Sequence, residues 1–198
     1  MLLKWRDKIL GQSRNNREHP PAERLYQLCL SHSRNPELYA EYGVSDTLDG
    51  RFDSLCLSLA VVLHRLAQCK SEHKTQAAEQ SQQVFDIFCA DMDLTLREMG
   101  VGDLGVAKRV KKMSEAFLGR LSAYRSALEM DDEPALADAL RRNLFRQDDA
   151  DTQIQDEKTE REIALLIKAI YAVSNDCAEQ KDEAILSAQL KLQPFSAA

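Results

Sequence analysis

Glycine and proline are scarce in this chain, 7 and 5 among 198 residues. That scarcity excludes collagen-like repeats, low-complexity linkers and the turn-rich, short-strand β folds, which need more of both. No apolar run approaches the roughly 20 residues that a membrane-spanning helix requires, so no transmembrane span is expected. The five cysteines are odd in number and contain no CxxC pair, which leaves no disulfide framework or zinc ribbon to be read from them. Thiols set on apolar helix faces fit a reducing compartment. A surplus of basic residues is also missing: 26 Lys and Arg stand against 32 Asp and Glu, for a formal charge of -6, which argues against direct nucleic-acid binding as the main activity. Cys29 and His32 lie three apart, but no second ligand pair accompanies them, so no metal is expected. No Ser, His and Asp set can be assembled, so neither a catalytic residue nor a cofactor is expected.

What the chain does have is helical periodicity almost throughout, with 44% hydrophobic and 29% charged residues. An all-α, single compact multi-helix domain follows, large enough to bury roughly 70% of the unfolded surface without a staple. Residues 1–19 form an N-terminal segment in which Leu2, Leu3, Trp5, Ile9 and Leu10 alternate with Lys4, Arg6 and Lys8. It reads as a short amphipathic helix docking on the domain, with peripheral membrane contact as the alternative. Pro20 and Pro21 open a helix carrying Leu25, Leu28 and Cys29, and Asn35 with Pro36 opens a shorter one that Gly43 can end. From Ser45 the most apolar helix follows, with Leu48, Phe52, Leu55, Leu59, Val62, Leu66 and Cys69 at four-three spacing, and it is expected to be central. After Pro134, Leu136, Leu140 and Leu144 share a face and Asp138 precedes Arg142 by four. Residues 147–158 are acidic and aperiodic and read as a linker. Thr159 and Glu162 have capping-box spacing ahead of Ile163, Leu166, Ile167, Ile170, Val173 and Cys177, and the end of the chain reads as a short helix and tail within a 159–198 unit packing on the same domain.

The centre of the chain is a helical hairpin between Val84 and Arg120. Phe85, Cys89, Met92, Leu96 and Met99 place one apolar face on the first arm, and Val106, Val110, Met113, Phe117, Leu121, Tyr124 and Leu128 do so on the second. Gly100 stands where a left-handed helix end is wanted and Asp103 where a side chain can cap the next helix. Gly100, Gly102 and Gly105 spell GxGxxG, but a phosphate-binding turn needs a strand in front of it, and here a helix precedes it. The three glycines therefore read as a structural turn, and a phosphorylated ligand there is the weaker alternative. Asp91, Asp93, Arg97 and Glu98 flank one apolar line; Lys108, Arg109, Lys111 and Lys112 flank the other. These charged rims are the candidate binding surface.

At this hairpin the chain resembles the ubiquinol-cytochrome c chaperone family, through FCADMDLTLREMGVGDLGVAKRVKKM. YGVSDTLDGRFDSLCLSLAVVLHRL upstream and AYRSALEMDDEPALADALRRNLF downstream are similar to the family's flanking blocks, so the resemblance covers about residues 20–146. It departs from the mitochondrial relatives at Ser58, Leu59 and Ala60, where they carry a histidine and an aromatic. The resemblance implies a non-enzymatic all-α chaperone that binds newly synthesised cytochrome b and promotes assembly of ubiquinol-cytochrome c reductase. In mitochondria it implies action beside the ribosome with a small helical partner, and the lack of a transit-peptide pattern suggests a bacterial cytoplasmic member. With it, Asp91, Asp93, Arg97, Glu98, Met99, Asp103, Lys108, Arg109 and Lys112 become the client-binding candidates. A ribosome or membrane-surface adaptor using the basic arm is the alternative function.

Overall fold

The computed structural model describes residues 19–145 and 157–195. The N-terminal amphipathic pattern and most of the expected linker, residues 147–156, lie outside them. Pro21 occupies the first turn of α1 (Pro21–Ser33), where its missing N–H costs nothing. Asn35 caps α2 (Pro36–Ala40) by accepting a hydrogen bond from the Glu37 amide. The next helix, α3 (Leu48–Ala67), starts three residues after Ser45, because the Thr47 hydroxyl caps it through the Gly50 amide at 3.1 Å. A single 3-10 turn, Ser71–His73, leads into α4 (Lys74–Glu98), which the polar run does extend toward its N-terminus. Then come α5 (Asp103–Met130), α6 (Glu133–Asn143), α7 (Glu157–Glu179) and α8 (Asp182–Leu186).

The all-α architecture expected from the periodicity is what the described residues form. Helix α3 is central: it packs on α1, α4, α5, α7 and α8, and from Asp53 to Leu66 every residue is buried. Leu48 is the exception on its apolar line, being 58% exposed. The hairpin of α4 and α5 closes over an aromatic cluster in which Phe88 and Phe117 lie 4.8 Å apart between ring centroids and Phe85 and Phe117 5.9 Å apart.

On α4 the buried seam runs Ala77, Gln80, Val84, Phe88, Met92 and Leu96. It is rotated by about one residue from the expected line, leaving Phe85 and Cys89 at its margin. Other local expectations are redirected. Asp138 pairs with Arg141, not Arg142, at 2.6 Å, since Arg141 also reaches Glu160 on α7 with two bonds of 2.8 and 2.6 Å. Helix α7 is already under way at Glu157, so Thr159 lies inside its first turn, and Glu162 turns instead to Lys158 at 3.5 Å.

Two long-range ties hold the C-terminal part. Buried Arg65 donates to the Cys177 and Gln180 carbonyls and to the Asp182 carboxylate, at 2.8, 2.6 and 2.7 Å, clamping the α7–α8 junction onto α3. The segment read as a tail is docked as far as Phe195, which is fully buried with its ring 4.3 Å from that of His32. The His32 ring nitrogens bond the Ser58 hydroxyl at 2.9 Å and the Gln193 carbonyl at 2.8 Å, and Asn35 donates to the Phe195 carbonyl. Both histidine nitrogens are thus engaged by protein groups.

Candidate functional site

The two arms of the hairpin, the beginning of α3 and the corner between α1 and α2 do not close completely on one another. They leave a cleft of about 1130 Å³. Its floor is Phe52 and Leu55 with the exposed Leu48 at the edge, and its α1–α2 wall carries Leu30, Arg34 and Tyr39. Asp91, Met92, Thr95, Leu96 and Met99 enter from α4, because steps of three and four keep them on one side of that helix. By the same rule Arg109, Lys112, Met113, Ala116 and Arg120 enter from α5. The two helical faces that meet here were legible; their meeting with Leu48, Tyr39 and Arg34 was not, since those belong to elements 40 or more residues away.

The candidate residues divide into two groups. Asp91, Met99, Arg109 and Lys112 line the cleft. Met99 is 53% exposed at its rim, while Met92 and Met113 sit deeper and are at least half-buried. Three flexible thioethers in one wall suit an irregular apolar guest. The other group lies at the hairpin tip and on its outer side. Arg97 binds Asp93 at 2.6 Å and also holds Asp103. Asp103 is therefore not the cap of α5; Gly102 occupies that position, without a side-chain bond. The expected left-handed turn is at Gly100, with φ of 80°, and Gly105 lies in the first turn of α5. Glu98 and Lys108 are exposed and outside the cleft wall.

The electrostatics of the cleft are uneven. Burial pushes the Asp91 carboxyl above its usual range, and nearby Glu98 adds to this; the Tyr26 hydroxyl, donating at 2.7 Å, and the Arg34 charge work the other way. Deep in the wall, Arg120 pairs with fully buried Asp53 at 2.9 Å and lies 5.6 Å from the centre of the Phe52 ring. Arg51 is held by Asp46 at 2.7 Å. Arg34, Arg109 and Lys112 are exposed and form no ion pair among the described residues. Sequence reasoning missed Asp53, although a carboxylate at a buried position of the most apolar helix is a signal in itself. Apolar walls with cations at the lip equip this site for non-covalent capture of a segment larger than a metabolite.

Comparison with known proteins bears directly on this site. The family model described as ubiquinol-cytochrome C chaperone matches residues 40–192, more than half of the chain and all of the α3, α4 and α5 cleft faces. A solved structure described as the crystal structure of the Cbp3 homolog from Brucella abortus has a TM-score of 0.72 to this chain and 29% identity, and the match covers 98% of each chain. No match is found among curated proteins.

Proposed function

The chain belongs to the ubiquinol-cytochrome c chaperone family, and from that premise we propose that it holds newly made cytochrome b in the cleft beside the α4–α5 hairpin. The family places the protein as an assembly factor for ubiquinol-cytochrome c reductase. The observation that carries the finer reading is the cleft itself: Leu48 and Met99 are exposed at its edge, and Phe52, Met92 and Met113 line it between the helices. Cytochrome b before insertion presents apolar helices that need such shelter, and a groove of this kind receives an amphipathic helix through anchors spaced along one face. Binding without covalent chemistry is the activity this geometry supports.

The test is photocrosslinking with a reactive residue placed at Thr95, Met99 or Lys112, compared with Lys168 and Ala172 on the exposed side of α7. Cytochrome b should be captured from the cleft positions. Equal capture from α7 would refute the reading.

A second reading, an adaptor for a ribosome or an anionic membrane, is favoured by one feature: Leu104 is 99% exposed at the start of α5, on the same face as exposed Lys108 and Lys111. Contact through this face would weaken steeply with salt. Salt-insensitive co-sedimentation with ribosomes or vesicles would count against it.

A further inference from the structure

Five cations line the cleft, Arg34, Arg51, Arg109, Lys112 and Arg120, against the acids Asp46, Asp49 and Asp91. Arg51 is committed to Asp46 and Arg120 to Asp53. Arg34, Arg109 and Lys112 remain at the lip without an ion pair among the described residues, in a protein whose overall charge is -6. Arg109 and Lys112 lie three apart, on one face of α5, and Arg34 stands on the opposite wall at the end of α1. Asp49 and Asp91 stand on the other side of the balance, two carboxylates against three cations, and Asp91 is half-buried and engaged by Tyr26.

We propose that the cleft selects its guest by charge as well as by apolarity, and that the guest is a helical segment with an apolar face flanked by carboxylates, which Arg34, Arg109 and Lys112 receive. This rests on the cleft being the client site and adds which segment it takes. A cationic lip disfavours the chain's own N-terminal segment, whose Lys4, Arg6 and Lys8 carry the same sign. It also disfavours apolar helices flanked by lysine, which therefore pass the cleft by. Like charges facing across a contact penalise the wrong guest, so the lip works by exclusion as well as by attraction.

The experiment uses the full chain and three labelled helical peptides of about 20 residues, long enough to fill such a groove, with the same apolar face and flanking Glu, Gln or Lys. Fluorescence anisotropy should rank them Glu, Gln, Lys, with Glu over Lys by roughly tenfold at low salt and less at 0.5 M NaCl. The R109E/K112E variant should reverse the order, and K108E/K111E, an equal charge change outside the cleft, should keep it. All four positions are exposed, and unchanged melting temperatures would show that both variants fold. Equal binding of the three peptides, with each competing against cleft crosslinking, would overturn the charge selection and leave the client site standing. Peptide binding that fails to compete with crosslinking would overturn both. Self-association of the free chain that blocks crosslinking from the cleft positions, and that the Glu peptide does not displace, would put a second copy in the cleft and overturn the proposal.

Discussion

Asp53 and Arg120 form the pair on which the inner wall of the cleft depends. Asp53 is fully buried, and the Arg120 side chain is 14% exposed and covers the Phe52 ring. Removing the cation from a buried carboxylate leaves a charge in a medium that solvates it poorly. Arg120→Ala is therefore expected to lower unfolding free energy by about 3–5 kcal/mol, and adding Asp53→Asn should recover a large part of that loss in urea titrations. His32 gives a second residue-scale test. Burial pushes its imidazole down to about 4 from an ordinary 6.5. The unfolded chain then takes up a proton as pH falls through 6.5 while the folded chain does not, so stability is complete above 6.5 and is lost down to about 4. The loss amounts to roughly 3 kcal/mol, and buried His64, also pushed down by burial, adds to it in the same direction. His32→Gln should be less stable at pH 7.5 yet show a flatter decline toward pH 4. An equally steep decline would remove His32 as the sensor. A helical pattern could place Asp53 and His32 on buried faces, but their partners lie 67 and 161 residues further along and follow no local spacing.

At the scale of elements, the hairpin shows what periodicity can and cannot fix. Both arms, the left-handed turn at Gly100 and the buried line of α7 were readable because each depends on residues within a few positions of one another. The rotation of α4 was not. Val84, Phe85, Phe88, Cys89, Met92 and Leu96 make a stripe broad enough for two seams, and packing against α1, α3 and α5 decides between them. The same element boundaries also distinguish two glycines. At Gly100 an added methyl would meet nothing within 4 Å, so Gly100→Ala should cost only the left-handed backbone penalty of about 1 kcal/mol. At Gly50, in the first turn of α3, the same methyl would lie 1.9 Å from the Ser45 carbonyl oxygen. Backbone, not a flexible side chain, must then yield. Gly50→Ala should destabilise by clearly more than Gly100→Ala and shift the first turn of α3, next to Leu48 at the cleft edge and Phe52 on its floor. Comparing urea midpoints of the two variants checks the order, and equal midpoints would refute it.

Across the whole molecule, the cleft is an arrangement of sequence-distant pieces, and its α1–α2 wall is braced from the other end of the chain. Phe195 packs on His32, Asn35 holds the Phe195 carbonyl, and Arg34, Pro36 and Tyr39 next to them line the cleft. LKLQPFSAA gave no helical period from which docking could be read, and the pocket that receives it exists only once α1 and α3 have met. Truncating a buried Phe to Ala ordinarily costs about 3–5 kcal/mol. A terminal strap can detach without unfolding the rest, so the local effect should exceed the global one. Phe195→Ala should therefore accelerate hydrogen exchange at residues 32–42 while amides in the middle of α4 and α5 keep their protection. If the cleft needs that wall, the variant should also lose capture of an apolar peptide at neutral pH, where the hairpin faces remain intact. Unchanged exchange at residues 32–42 would show that the tail covers the core without bracing the site; changed exchange with unchanged capture would show that α3, α4 and α5 hold the guest by themselves.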